Sequence, residues 1–125
     1  MEAIAHARFQ RYGARKVAQV LDQIRGKSVE RAEELLPLVA RRATELVGKT
    51  LKSAVSNLQV KAGRKLDPSD IWVRGAWVGQ GPMGQMKRVR PAPMGRAMII
   101  KRKVCHLTLV LSDEAVATRR GKKGK

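Results

Sequence analysis

The sequence predicts an α+β fold in which three helices pack on a small antiparallel three-stranded sheet, and a long, extended β-hairpin protrudes from that sheet. Apolar residues recur at helical spacing through much of residues 17–58, which predicts helices. Residues 71–78 and 98–111 are rich in β-branched, aromatic and other large apolar residues, which is typical of strands. Between them, residues 79–97 carry glycines, prolines and cations but too few large apolar side chains to bury themselves. That stretch is therefore predicted to extend beyond the sheet.

The first elements are a strand and an amphipathic helix. Residues 3–10 are predicted to form a short strand, although alanine is a poor strand former. Four apolar residues then occupy positions i, i+3, i+4 and i+7 on one helix face: Val17, Val20, Leu21 and Ile24. Gly26 ends this helix, and Ser28 is the expected N-cap of a short second helix. Pro37 closes the second helix and suits the first turn of a third.

The third helix is predicted over residues 38–60. Its apolar side keeps a period of 3.6 residues through a set of small and branched side chains: Ala43, Leu46, Val47, Thr50, Leu51, Ala54, Val55 and Leu58. Gly63 ends this helix, and residues 64–70 form a polar loop with a turn at Asp67-Pro68.

Two strands and the hairpin complete the chain. Simple alternation within 71–78 places Ile71, Val73, Gly75 and Trp77 on one face, and Trp72, Arg74, Ala76 and Val78 on the other. The two tryptophans are thus expected on opposite faces, at least one of them in the core and the other available to stack on a base or cover a helix. Residues 79–101 form the hairpin extension, whose arms reach roughly 30 Å at about 3.3 Å per residue. We expect one domain over residues 1–112, followed by a basic tail, 113–125, that is disordered until it is bound.

The charge of the chain predicts a polyanionic partner. The 125 residues carry a formal net charge of +17, and residues 71–112 contain eight lysines and arginines but no aspartate or glutamate. Such a charge destabilises an isolated globule through self-repulsion, so a standing counter-charge is expected. A membrane is disfavoured because no apolar run approaches the length of a spanning helix. The start lacks the pattern of a signal peptide, and the single Cys105 fits a reducing compartment, so the cytoplasm is the expected location.

No set of residues suited to catalysis or metal binding stands out. Residues 79–84 match G-x-G-x-x-G, but the prolines that follow leave no room for the helix that a dinucleotide site requires. Cys105 and His106 are adjacent on a strand and point to opposite faces, which disfavours a Cys–His pair and a zinc site. Asp22 is expected to form a local ion pair. We therefore predict a protein that is not an enzyme and has no cofactor or bound metal.

The basic hairpin is the strongest candidate for a nucleic-acid contact. Its tip is predicted within residues 86–96, where guanidinium groups can grip phosphates bidentately and prolines stiffen the backbone. A disordered basic loop is the alternative, and strands on both sides favour a fixed position. Basic pairs also flank the first helix, at Arg15-Lys16 and at Arg25 with Lys27, and Arg41-Arg42 precedes the long one.

Several stretches, in this order, resemble the bacterial large-subunit ribosomal protein L-twenty-two family over residues 3–112. These stretches are Arg15-Lys16-Val17 with 22–28, then Lys52-Ser53-Ala54 with Asn57, then Gly81-Pro82, Lys87-Arg88, Arg90-Pro91 and Gly95-Arg96-Ala97 in the hairpin, and finally 100–103 with His106-Leu107. The chain departs from the family pattern at Gly13-Ala14, at Ala92-Pro93 and at Val104-Cys105.

The resemblance implies a structural constituent of the large ribosomal subunit that binds 23S-type ribosomal RNA and acts without a cofactor. The hairpin would line the polypeptide exit tunnel, opposite ribosomal protein L-four and in transient contact with the nascent chain. The protein would be ribosome-bound in the cytoplasm, next to other ribosomal proteins, and would not form a homo-oligomer. The expected RNA contacts are Arg8, Arg11, Arg15, Lys16, Arg25, Lys27, Arg74, Lys87, Arg88, Arg90, Arg96, Lys101, Arg102, Lys103 and His106. The expected tunnel-lining tip comprises Met86, Lys87, Arg88, Val89, Arg90, Pro91, Ala92 and Pro93.

One further class of nucleic-acid binder stays open from the residues alone. Architectural DNA-binding proteins of the bacterial nucleoid also use basic β-arms with a proline near the tip, inserted in the minor groove. A small enzyme would rest only on the G-x-G-x-x-G match.

Overall fold

The computed structural model describes residues 1–82 and 87–116. Its strands are β1 (Glu2–Gln10), β2 (Trp72–Gln80), β3 (Lys87–Pro91), β4 (Ala97–Lys101) and β5 (Cys105–Ser112), and its helices are α1 (Ala14–Ile24), α2 (Val29–Leu35) and α3 (Thr44–Ala62). Short 3-10 turns at Leu36–Leu38 and Pro68–Asp70 follow α2 and precede β2. The predicted α+β class is confirmed, but the single strand predicted over residues 98–111 is interrupted at 102–104 and divides into β4 and β5, which belong to different sheets.

The body is a three-stranded antiparallel sheet covered on one face by helices. β5 is the central strand, with β1 on one side and β2 on the other. We call the helix-covered face the inner face and the opposite one the outer face. The core between the sheet and the helices is fully buried at all these positions: Val17, Val20, Leu21, Ile24, Leu51, Leu58, Leu107, Leu109 and Leu111.

The helix ends follow local sequence signals, with one correction. The Oγ of Ser28 accepts a hydrogen bond from the backbone N–H of Arg31 at 3.4 Å, which confirms the predicted cap of α2. Gly63 ends α3 with a φ of 67°, in the left-handed region that glycine adopts without steric cost. The predicted start of α3 at residue 38 is wrong. Pro37 sits in the 3-10 turn, Val39 is extended with a ψ of 115°, and regular helix begins only at Thr44.

A bulge in β2 overturns the predicted alternation of this strand. Arg74 and Gly75 together oppose Val110, so the side-chain phase reverses between Val73 and Ala76. Val73 and Ala76 are both buried on the inner face, whereas simple alternation separates them. Both tryptophans therefore lie on the outer face, and the expectations of opposite faces and of one core tryptophan are wrong. Trp72 is half-buried, and Trp77 is 54% exposed.

The hairpin leaves the body as a second, separate sheet. β3 and β4 pair antiparallel from Lys87↔Lys101 to Pro91↔Ala97, and every residue of both strands is exposed. At its base, the backbone N–H of Gly81 donates to the carbonyl oxygen of Val104 at 2.7 Å. A Cβ at position 81 would lie 3.1 Å from that oxygen, so any other residue would force this junction to shift by a few tenths of an ångström.

The turn of the hairpin is shorter than predicted. The backbone N–H of Ala92 donates to the carbonyl oxygen of Arg96 at 2.9 Å, and Met94 and Gly95 have φ values of 61° and 67°. The tip is thus confined to residues 92–96, and Lys87–Pro91 form an arm because they pair with β4. The predicted tip residue Met86 and the tail residues 117–125 lie outside the described residues, as does Gly84 of the glycine motif.

Candidate nucleic-acid interface

Two basic clefts adjoin each other where the hairpin leaves the body. The first, of about 560 Å³, is lined by Gly13, Ala14, Arg15, Lys16, Gln80, Lys101 and Lys103. The second, of about 600 Å³, is lined by Arg11, Tyr12, Gly13, Lys16, Ala40, Arg41, Arg42, Ala43 and Arg102. Gly13 and Lys16 line both. We refer to the pair as the hairpin-base clefts.

Eight cations and no carboxylate line the hairpin-base clefts: Arg11, Arg15, Lys16, Arg41, Arg42, Lys101, Arg102 and Lys103. Within residues 1–82 and 87–116, none of these eight forms a salt bridge. Glu45 is close enough for Arg42 to contribute to lowering its pKa, but Lys49 is the main cause, through a hydrogen bond at 2.8 Å. The described residues therefore supply no salt-bridge partner for the cations of the clefts.

Three separate segments bring these cations together. The turn after β1 and the start of α1 supply Arg11, Arg15 and Lys16. The end of β4 and its connection to β5 supply the cations at 101–103, and the non-helical segment before α3 supplies Arg41 and Arg42. Because the segments are distant in sequence but adjacent in the fold, the three-stranded sheet and the packed helices hold these segments at a fixed spacing. Such an arrangement suits the phosphate backbone of a folded nucleic acid.

The hairpin adds two chemically different faces. Directly paired residues lie on the same face of a two-stranded sheet, and successive residues alternate. One face carries Arg88 and Arg90 with their partners Ile100 and Met98; we call it the arginine face. The other carries Val89 opposite Ile99, with the pairs Lys87↔Lys101 and Pro91↔Ala97 on either side. Guanidinium groups on the arginine face are placed to contact phosphates and to stack on bases.

Two of the predicted RNA contacts are engaged within the protein. The guanidinium of Arg25 donates to the carbonyl oxygen of Ala76 at 2.6 and 3.1 Å and to Asp22 at 2.6 Å, so it ties α1 to β2. Arg74 forms a salt bridge with Glu2. The local ion pair expected for Asp22 is thereby confirmed.

The other predicted contacts are spread over three surfaces. Arg11, Arg15, Lys16, Lys101, Arg102 and Lys103 line the clefts, and Lys87, Arg88, Arg90 and Arg96 lie on the exposed hairpin. Arg8 and His106 lie near the bulge between β1 and β5. Lys27 is half-buried, and its backbone pairs with Val73. The predicted set is thus brought together in part, around the hairpin base.

Arg41 and Arg42 are not among the predicted RNA contacts, since a basic pair at the start of a helix is more often part of a solvated face than of a binding site. The structure keeps residues 40–42 out of α3 and places both arginines in a cleft. Six residues separate Pro37 from the first residue of α3, Thr44, and both arginines lie among them. No helix in the described ranges combines the length and apolar character needed to cross a bilayer.

Comparison with known proteins identifies the family. The family model described as ribosomal protein L22p/L17e matches residues 5–112. The chain belongs to this family. Three relatives, each named large ribosomal subunit protein uL22, agree with the assignment. That of Endomicrobium trichonymphae is 44% identical over 96% of this chain and 99% of the relative. That of Acaryochloris marina is 45% identical over 90% and 91%, and that of Prochlorococcus marinus strain AS9601 is 40% identical over 94% and 88%. The family match covers both the hairpin and the clefts at its base.

Proposed function

We propose that this protein is a structural constituent of the large ribosomal subunit that binds ribosomal RNA through the hairpin-base clefts and the hairpin. The observation that carries the proposal is the convergence of eight cations without a carboxylate on two adjoining clefts. Membership in the L22p/L17e family supplies the ribosomal context. No such context supports the alternative of a nucleoid DNA-binding arm.

The clefts and the hairpin contribute to RNA binding in different ways. The clefts belong to the rigid body, so their cations hold RNA phosphates in a fixed register and orient the protein. The hairpin has no core of its own, since every residue of β3 and β4 is exposed. A two-stranded hairpin is at best marginally stable alone in water. It gains order from the RNA segments that surround it, with the arginine face against phosphates.

The far end of the hairpin reaches the polypeptide exit tunnel in this proposal. The lining residues within the described part are Lys87, Arg88, Val89, Arg90, Pro91, Ala92 and Pro93, opposite ribosomal protein L-four, with the nascent chain as a transient neighbour. The turn at 92–96 presents Met94, which is 95% exposed, at its outermost point. A cytoplasmic, ribosome-bound location follows from the same proposal.

Ribosome fractionation tests the assembly directly. Ribosomes are separated into subunits and washed at high salt, and the protein is followed by mass spectrometry. We expect stoichiometric retention on large subunits, because many phosphate contacts act together. Its absence from washed large subunits and its presence on chromosomal DNA would contradict the proposal and favour the nucleoid alternative.

A further inference from the structure

The outer face of the sheet carries aromatic side chains that the fold does not bury. Within residues 1–82 and 87–116, helices cover only the inner face, and on the outer face Trp77 is 54% exposed, Phe9 65% and Ile4 50%. Direct pairing places Trp77 beside Thr108, and Thr108 beside His6. The Nδ1 atom of His6 lies 3.1 Å from the Oγ1 of Thr108. The indole of Trp77, the hydroxyl of Thr108 and the imidazole of His6 therefore form a row across the three strands.

Phe9 is held outward at a conformational cost. Its φ is 55°, a left-handed value that costs a bulky residue about 1–3 kcal/mol. The backbone N–H of Phe9 donates to the Nδ1 of His106 at 3.0 Å, and the two rings meet edge to face with centroids 4.8 Å apart. The bulge in β1 thus presents an aromatic ring to the surroundings in place of burying it.

The indole ring of Trp77 packs against the backbone of its own strand at Gly75. A Cβ at Gly75 would be 3.0 Å from the Cζ3 of Trp77 and 3.8 Å from the Cβ of Val110. The indole therefore leans over Gly75 next to Val110, and it fits there because position 75 has no side chain. A ring supported from beneath and 54% exposed is a platform on which a planar group can stack.

The charged residues of the outer face indicate which kind of partner binds there. The two rings lie at the end of the sheet nearest the hairpin, where Gly79 pairs with His106 and Arg8 is exposed in the bulge. Glu2 carries a carboxylate on the outer face, but it lies at the end of the sheet far from the two rings and is paired with Arg74. An aromatic surface that adjoins Arg8, which forms none of the salt bridges of the described residues, fits a nucleic acid better than an apolar peptide.

We infer that the outer face is a second RNA-contact surface, on which Trp77 and Phe9 stack against two unpaired bases. The inference rests on the proposed RNA-binding function and adds to it a site and a ligand class. Two strand spacings and two residues of offset separate the two rings by roughly 12 Å. Bases in a helical stack are about 3.4 Å apart, so the two rings take bases splayed out of the stack.

The first experiment uses fluorescence. Trp72→Phe makes Trp77 the only tryptophan, since the chain contains two. Short single-stranded oligoadenylate is titrated against this variant, with duplex RNA of equal length as the control. Stacking predicts strong quenching by the single strand and weak quenching by the duplex. Equal quenching by both would overturn the inference.

The second experiment separates stacking from charge. Trp77→Ala is expected to weaken binding to large-subunit ribosomal RNA by about 5- to 150-fold, the range measured for loss of one stacked base. The dependence of binding on salt should stay unchanged, because no cation is removed. Trp77→Phe is expected to keep most of the affinity, Phe9→Leu to lose part of it, and Ile4→Ala, an exposed control near Glu2, to have no effect.

The outcomes distinguish this inference from the proposed function. If Trp77→Ala binds RNA as the wild type does, while cleft substitutions still lower the salt dependence, the stacking surface is refuted and the RNA-binding function stands. The same conclusion follows if Trp77 becomes buried in large subunits without any effect of its substitution on RNA affinity, because a neighbouring protein then covers the face. If neither class of substitution changes RNA binding, the proposed function itself fails.

Discussion

Removing three cations from the hairpin-base clefts should change the salt dependence of RNA binding in a calculable way. The variant combines Arg15→Gln, Lys16→Gln and Lys103→Gln, all exposed at the rims of the clefts. If each of the eight cleft cations neutralises one phosphate, the clefts contribute about −5.6 to the slope of log affinity against log salt, from about −0.7 per contact on single strands. The triple variant keeps five cleft cations, so their contribution falls to about −3.5.

The difference is large enough to measure. Between about 50 and 200 mM salt, the cleft contacts alone should cost the wild type about 2,000-fold in affinity and the variant about 130-fold. Filter binding or fluorescence anisotropy with large-subunit ribosomal RNA over this range gives the two slopes. A circular dichroism spectrum of the variant shows whether the fold is retained, which is expected because none of the three side chains is buried.

The matched control removes the same charge elsewhere. Arg31→Gln, Arg64→Gln and Lys65→Gln are all exposed and line neither cleft. Their combination should leave the slope near that of the wild type. Equal slopes for the two triple variants would refute the reasoning, because binding would then depend on net charge and not on the clefts.

Three other perturbations test the packing account. Leu51→Ala removes a fully buried side chain and should cost about 2–5 kcal/mol in urea unfolding, whereas Val60→Ala, 83% exposed on the same helix, should cost less than about 0.5 kcal/mol. Deleting residues 86–88 should leave the thermal unfolding of the body unchanged while altering passage of nascent chains, because β3 is exposed along its length. Burial raises the pKa of the Cys105 thiol, so with rising pH the thiol ionises in the unfolded chain before it ionises in the folded protein. The stability that the neutral buried thiol contributes is therefore fully present below about pH 8.5 and declines as pH rises. Cys105→Ala should remove that decline.

Each of these three predictions has an outcome that would contradict it. Similar losses for Leu51→Ala and Val60→Ala would show that the α3 core is not packed as described. A large fall in melting temperature on deletion would mean that the hairpin packs on the body. Alkylation of Cys105 by iodoacetamide at pH 7 as fast as that of a free thiol would show that this side chain is accessible, and would contradict the burial that raises its pKa.

Periodicity predicted the helices where burial decides the pattern. The buried residues of α1 are those that the helical spacing predicted, Val17, Val20, Leu21 and Ile24, so their spacing alone located the buried face. Ser28 and Gly63 marked helix ends because capping depends on local backbone chemistry. These features require no knowledge of the rest of the molecule.

The bulge in β2 and the turn of the hairpin could not be predicted in the same way. An extra residue at Arg74 leaves the composition of the strand unchanged but reverses its alternation, and only the pairing with β5 reveals it. The turn at 92–96 is set by the register of Val89 against Ile99, a contact between strands. The clefts depend on three segments that meet only after folding, so the sequence predicted their cations individually and missed Arg41 and Arg42 as members.

Site-specific crosslinking in intact large subunits tests the central claim most directly. A photoreactive residue is placed at Met98, which is 64% exposed and lies on the arginine face opposite Arg90, and in a second protein at Val60, which is 83% exposed on α3. RNA contact along the hairpin predicts efficient crosslinking of position 98 to large-subunit ribosomal RNA and little from position 60. If the protein is present in the subunit but position 98 crosslinks no better than position 60, the hairpin does not run among RNA segments and the account is contradicted.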